Sequence, residues 1–167
     1  MNEGAGAEVA ALSDVRGPVF RWVYHTARLI FGAWWLFSGL MHFFWPELQP
    51  LGDEPAAIDF TLALMASGLF DWVKVLEIVL GLTLLANRAM PLTIIALVPI
   101  NVVIVYWNFV LDEGMVEWTF GILTIVFNAI LAWPWRHYFW GLFTWRGLPD
   151  YSMNSRLPRQ QVDERSV

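Results

Sequence analysis

Long apolar runs with no charged residue constrain this chain more than any other feature of its sequence. Only 15% of its 167 residues are charged and 57% are hydrophobic, where an average soluble domain carries roughly 25% charge. A soluble fold of this size has too little interior to hide such runs. A hydrocarbon layer of about 30 Å, in contrast, calls for helices of about 20 largely apolar residues. A mean hydropathy of +0.51 points the same way. The chain therefore reads as all-α: a polytopic membrane protein built as a four-transmembrane-helix bundle. Its spans lie at about 22–45, 70–86, 91–110 and 115–135.

Local signals set the boundaries. Pro46 ends the first span and a polar Pro/Gly-rich loop follows it. Residues 56–70 are apolar but too short to cross alone, so they read as an extra interfacial or re-entrant helix between spans one and two, broken near Gly68. Pro91 suits the first turn of the third span. Pro99 lies inside that span and removes one of its backbone hydrogen bonds. Arg28 is close enough to the start of span one to snorkel to the interface. Residues 1–18 lack the basic start and apolar centre of a secretory signal and read as a cytoplasmic tail. Residues 19–146 form the transmembrane domain, and 147–167, polar and mixed in charge, read as a disordered cytoplasmic tail.

Charge asymmetry orients the bundle. Arg16, Arg21, Arg28, Arg88, Arg136, Arg146, Arg156, Arg159 and Arg165 all fall on one side, and Lys74 lies inside span two. Glu47, Asp53, Glu54, Asp59, Asp112, Glu113 and Glu117 fall on the other side, with no Lys or Arg among them. The positive-inside rule then puts both termini in the cytoplasm, as an even number of spans requires. Many of the 11 Trp cluster at span ends, where interfacial belts form. The chain has no cysteine, which excludes disulfides, thiol redox chemistry and Cys-ligated centres. Nothing resembles a nucleic-acid patch.

The candidate chemistry centres on DWVKVLE in span two, where Asp71, Lys74 and Glu77 follow at helical spacing. Glu77 lies ten residues from Asn87, hence roughly 15 Å deep at 1.5 Å per residue. An ionised carboxylate facing lipid there costs several kcal/mol, so it must be paired, protonated or turned into a polar cavity. Ser38 and His42 of span one share the outer half, Asn101 and Asn108 lie on one face of span three, and Thr124 and Asn128 lie on span four. These groups suggest an outward-facing pocket around Glu77, Lys74, His42 and Asn101, able to hydrogen-bond or exchange protons with a polar head group such as a quinone ring or lipid head. The competing reading is a self-satisfied Lys74–Glu77 pair with the asparagines as interhelical glue. Neither is excluded by sequence. His25, His42 and His137 do not face one another within the spans as bis-histidine haem ligands would, and no metal-ligand spacing occurs. Gly32, Gly39, Gly81 and Gly121 lie within spans and suit close helix packing.

At RLIFGAWWLFSGLMHFF, VKVLEIVLGLTLLANR and MPLTIIALVPINVVI the chain resembles the DoxX family of small four-helix membrane proteins, over about Arg28 to Arg136. The most recognisable part is the Lys-x-x-Glu of Lys74 and Glu77 followed by Gly81, Leu82, Leu84 and Leu85. Many relatives carry Lys where this chain has His42. The resemblance implies a bacterial inner-membrane protein associated with quinone-linked or other oxidoreductases. Three functions follow as expectations. The first is an accessory or anchor subunit of a larger membrane enzyme complex, with no redox centre of its own. The second is a stand-alone quinone- or lipid-binding protein or enzyme using the polar pocket. The third is a membrane-protein assembly factor. Partners are the lipid bilayer, such a complex, or further copies of the chain, and nothing implies a covalently bound cofactor.

Overall fold

A computed structural model describes residues 3–143. The expected C-terminal tail lies outside the described residues. The described residues are all-α, and α1 runs Glu3–Phe44, α2 Pro55–Ala66, α3 Leu69–Ala86, α4 Met90–Tyr106, α5 Met115–Ala132 and the short α6 Arg136–Phe139. The four long helices close a ring, with α1 on α3, α3 on α4, α4 on α5 and α5 back on α1. Helix α1 continues upstream of the first predicted span to Glu3, through Pro18 and through the segment read as a tail.

The α2–α3 break has a backbone cause. Gly68 adopts a left-handed conformation (φ 73°), which ends α2 and lets α3 leave in a new direction. Helix α2 has 12 residues, so it is only about 18 Å long, well short of a ~30 Å hydrocarbon core. It is tied to the end of the bundle. Asp112 is buried and its Oδ1 accepts the backbone N–H groups of Asp53 and Glu54 at 2.9 and 3.0 Å. The Trp107 indole donates to Thr61 Oγ1 at 3.3 Å. Trp107 opens a π-helical turn, Trp107–Leu111, that ends α4.

Glycine makes the closest helix contact possible. A Cβ on Gly81 of α3 would lie 2.6 Å from the Leu36 backbone nitrogen and 3.0 Å from the Gly32 carbonyl oxygen. One on Gly39 would lie 2.8 Å from the Lys74 carbonyl oxygen. The backbones of α1 and α3 therefore touch, which small residues alone permit. Beside this contact lies an apolar core of Phe31, Trp35, Leu80, Leu84, Ile94, Leu97 and Leu131, with Phe31 stacked on Phe127 at 5.2 Å.

At the end of the bundle near the α3–α4 turn, polar ties replace apolar ones. Arg28 does not snorkel outward. It is buried and its guanidinium donates to the Leu84 and Leu85 carbonyls at 2.5 and 2.6 Å. These belong to the last turn of α3, whose carbonyls lack helical partners and carry partial negative charge. Asn87, at φ 53°, completes the cap as Arg88 N–H bonds back to Thr83 O. Its side chain accepts from Tyr24, whose hydroxyl in turn accepts from the Trp135 indole.

Two helical stretches, Met90–Leu111 and Met115–Phe143, are long and apolar enough to cross a membrane. Their most apolar windows are only 22% and 17% buried, whereas the core helix of a soluble protein is mostly buried. Gly81→Ala is expected to destabilise the bundle by roughly 1–3 kcal/mol, through overpacking against backbone atoms that cannot move aside. Gly17→Ala, in α1 and meeting nothing within 4 Å, should instead leave stability intact or raise it by up to about 1 kcal/mol through helix propensity. Unfolding in mixed micelles measures both.

Candidate functional site: a buried ion pair beside a small cavity

The site is built by the glycine contact. Because α1 and α3 approach so closely, side chains one turn either side of Gly39 meet across the seam in layers. In the outer layer His42 Nε2 lies 2.7 Å from Asp71 Oδ1. In the next, Lys74 Nζ donates to Ser38 Oγ at 2.9 Å and to both Glu77 oxygens at 3.1 and 3.0 Å. The Phe70 ring separates the layers, its centroid 5.0 Å from the His42 ring and 5.0 Å from Lys74 Nζ.

The two layers differ in environment. Asp71 is exposed at 63% of its side-chain surface, so the His42–Asp71 contact is at the bundle's edge. Lys74 and Glu77 are 4% and 5% exposed. A desolvated ammonium and carboxylate persist only if each finds charge and hydrogen bonds nearby. Here the ammonium has a carboxylate, a hydroxyl and the face of an aromatic ring, so its requirements are met within the protein.

Glu77 and Ser38 also line a cavity of about 40 Å³, together with Phe31, Trp34, Trp35, Ile104 and Thr124. That volume decides what can enter. A water needs roughly 10–15 Å³ on this measure, and a cavity that binds benzene is roughly 150 Å³. The space, about half open, is the size of a few waters and well below that of a cavity that encloses benzene.

The sequence candidates thus divide between several places. Ser38, Lys74 and Glu77 come together, and His42 and Asp71 pair one turn further out. Asn108 is buried and donates to its own helix at the Ile104 carbonyl, 2.7 Å away. Asn101 is buried on α4, with neither amide atom partnered, and is not among the residues lining the cavity. The expected single pocket around Glu77, Lys74, His42 and Asn101 is not formed as one space. Periodicity did not reveal the aromatic wall of Phe31, Trp34 and Trp35, since aromatic residues occur all round α1. Among the described residues no three His, Asp or Glu side chains gather as a metal site. Comparison with protein-family models, with characterised proteins and with solved structures gave no match.

Removing one partner of a buried pair strands the other. Glu77→Leu or Lys74→Met alone should destabilise the protein by about 3–5 kcal/mol. The double variant Lys74→Met/Glu77→Leu, which removes both charges, should lose clearly less than the sum of the two. Detergent-unfolding midpoints of the four proteins check this, and additive losses would mean that the two charges are not coupled.

Proposed function

We propose that the chain crosses the bilayer four times, both termini cytoplasmic, and acts as an accessory or anchor subunit of a larger membrane oxidoreductase. It would be of the DoxX-like kind that its sequence resembles, with no redox centre of its own. One observation carries the four-span reading: the bundle's polarity is inverted. Helices α1 and α3 are less apolar than the other two because of Arg28, His42, Asp71, Lys74 and Glu77. Of these, Arg28, Lys74 and Glu77 are buried and paired inside. The outward residues of the same helices are apolar: Leu29, Ile30 and Phe37 on α1, and Val75, Leu76, Val79 and Leu82 on α3. Such an exterior suits lipid, and a polar interior is what a bilayer tolerates. Arg88 and Arg136 at one end and the acidic loops at the other support the orientation.

The subunit reading is supported by the site's saturation and size. A Lys74–Glu77 pair that satisfies itself beside a space for a few waters suits a structural element better than a pocket for a ring. The stand-alone quinone- or lipid-binding reading draws on one feature, the unpartnered Nδ1 of His42 near the bundle's edge. Gentle detergent extraction followed by native mass spectrometry separates the two. Recovery in a stoichiometric complex with a larger membrane enzyme is the expected result. Recovery alone with a quinone or lipid that Glu77→Gln abolishes would replace it by the pocket reading. Recovery alone and empty would overturn both.

Topology has its own test, made simple by the absence of cysteine. Glu113→Cys should react with a membrane-impermeant maleimide in intact cells, and Arg88→Cys should react only after lysis. The reverse pattern would invert the proposed orientation.

A further inference from the structure

The exposed cations at the α3–α4 end of the bundle have no anionic partner among the described residues. The two ion pairs found there, His42–Asp71 and Lys74–Glu77, both lie elsewhere. Arg21, Arg88 and Arg136 are exposed. They share one end because Tyr24 bonds both Asn87 and Trp135. Arg21 stands three residues before Tyr24, Arg88 follows Asn87, and Arg136 follows Trp135. The acidic residue of α5, Glu117, is in its first turn, at the far end of an 18-residue helix about 27 Å long.

Of the three cations, Arg136 is the one held in place. Its guanidinium lies 5.0 Å over the Trp133 ring, and its Nη1 donates to the Trp133 carbonyl at 2.8 Å. That bond uses one of the five N–H donors a guanidinium carries. Trp133 is itself 60% exposed. Back along α5 from it, at steps of about one turn, stand Ala129, Val126 and Ile122, all exposed and all apolar. Trp133 to Ile122 is eleven residues, about 16 Å. That is the depth of one leaflet of a ~30 Å hydrocarbon core. One face of α5 therefore presents an oriented cation on an aromatic ring, then an apolar lane one leaflet long.

We propose that this face binds one anionic phospholipid, its phosphate on Arg136 and Trp133 and an acyl chain along the α5 lane. The inference rests on the membrane reading given above. Head-group chemistry selects the lipid. A guanidinium takes phosphate through charge-assisted, paired N–H bonds, stronger than neutral ones. A zwitterionic lipid brings its phosphate with an ammonium or trimethylammonium group. That group would enter the field of Arg21, Arg88 and Arg136, with no carboxylate among the described side chains at that end to receive it. A head group of net negative charge meets only attraction. A soluble anion would use the cations but leave the apolar lane without a ligand.

Native mass spectrometry of the full chain, released from nanodiscs of equal parts phosphatidylglycerol and phosphatidylcholine, tests this. The unaltered protein is expected to retain phosphatidylglycerol several-fold over phosphatidylcholine. Arg136→Gln should remove most of that preference and Trp133→Leu should weaken it. Glu113→Gln, which neutralises an exposed charge at the opposite end, should leave it unchanged. Equal retention of the two lipids by the unaltered protein would overturn the proposal, whether or not the variants fold. A preference that folded Arg136→Gln keeps in full would overturn the assignment to this face. Displacement of the retained phosphatidylglycerol by added inorganic phosphate would replace the lipid by a soluble anion. A chain that fails to enter nanodiscs would overturn the membrane reading itself, whereas insertion without lipid preference overturns the lipid site alone.

Discussion

The Lys74–Glu77 pair is the interaction on which the rest of this structure depends. Two opposite charges, each about nineteen-twentieths buried in a largely apolar bundle, are tolerable only at contact distance and only with their remaining hydrogen-bonding capacity used. That demand reaches outward. Ser38 must sit across the seam to accept a hydrogen bond from the ammonium, so α1 must lie against α3 in a single register. The register in turn needs Gly39 and Gly81, since any Cβ at either position would run into the neighbouring backbone. The pair, the hydroxyl and the glycines are one device, and its parts are separated by up to 43 positions in the chain.

Polar ties close the bundle at both ends, each with different chemistry. At one end Arg28 meets the negative end of α3, and a Trp135–Tyr24–Asn87 relay joins the segment after α5 to α1 and to the α3 cap. At the other, the Asp112 carboxylate gathers two backbone N–H groups from the entry to α2, so the turn between α4 and α5 holds the short helix in place. By sequence Asp112 is one of several acidic residues on one side of the bundle, yet it is among the most buried polar groups of the described residues. Between these ends the exterior is almost uninterrupted hydrocarbon. Lipid or a partner would therefore meet apolar side chains and aromatic rings, with the charged chemistry enclosed behind them.

Much of the architecture could be read directly from the residues. Mean apolarity over about 20 residues, a Pro or Gly at each break, and the segregation of Arg from Asp and Glu are local or additive properties. They do not depend on how helices pack, and Gly68 breaks the α2–α3 junction where its sequence context pointed. The site was only partly readable. The i, i+3 step from Lys74 to Glu77 is a property of one helix, so their contact followed from spacing. Which residues of other helices join them did not, because a rotation of α1 or α4 by one residue, 100° about its axis, would present a different side chain.

Sequence alone thus determined an all-α chain with apolar helices, their approximate limits, and the presence of charges too deep to stand alone. Tertiary structure decided where those charges go. It turned Arg28 inward onto the α3 carbonyls, gave His42 to Asp71 in place of the buried pair, and left Asn101 buried on α4 outside the lining of the cavity beside Glu77. Hydropathy and helical spacing fix which groups must be hidden, because burial of charge is costly wherever it occurs. Only the crossing of backbones at Gly39 and Gly81, and the register it imposes, fixes which hidden groups meet.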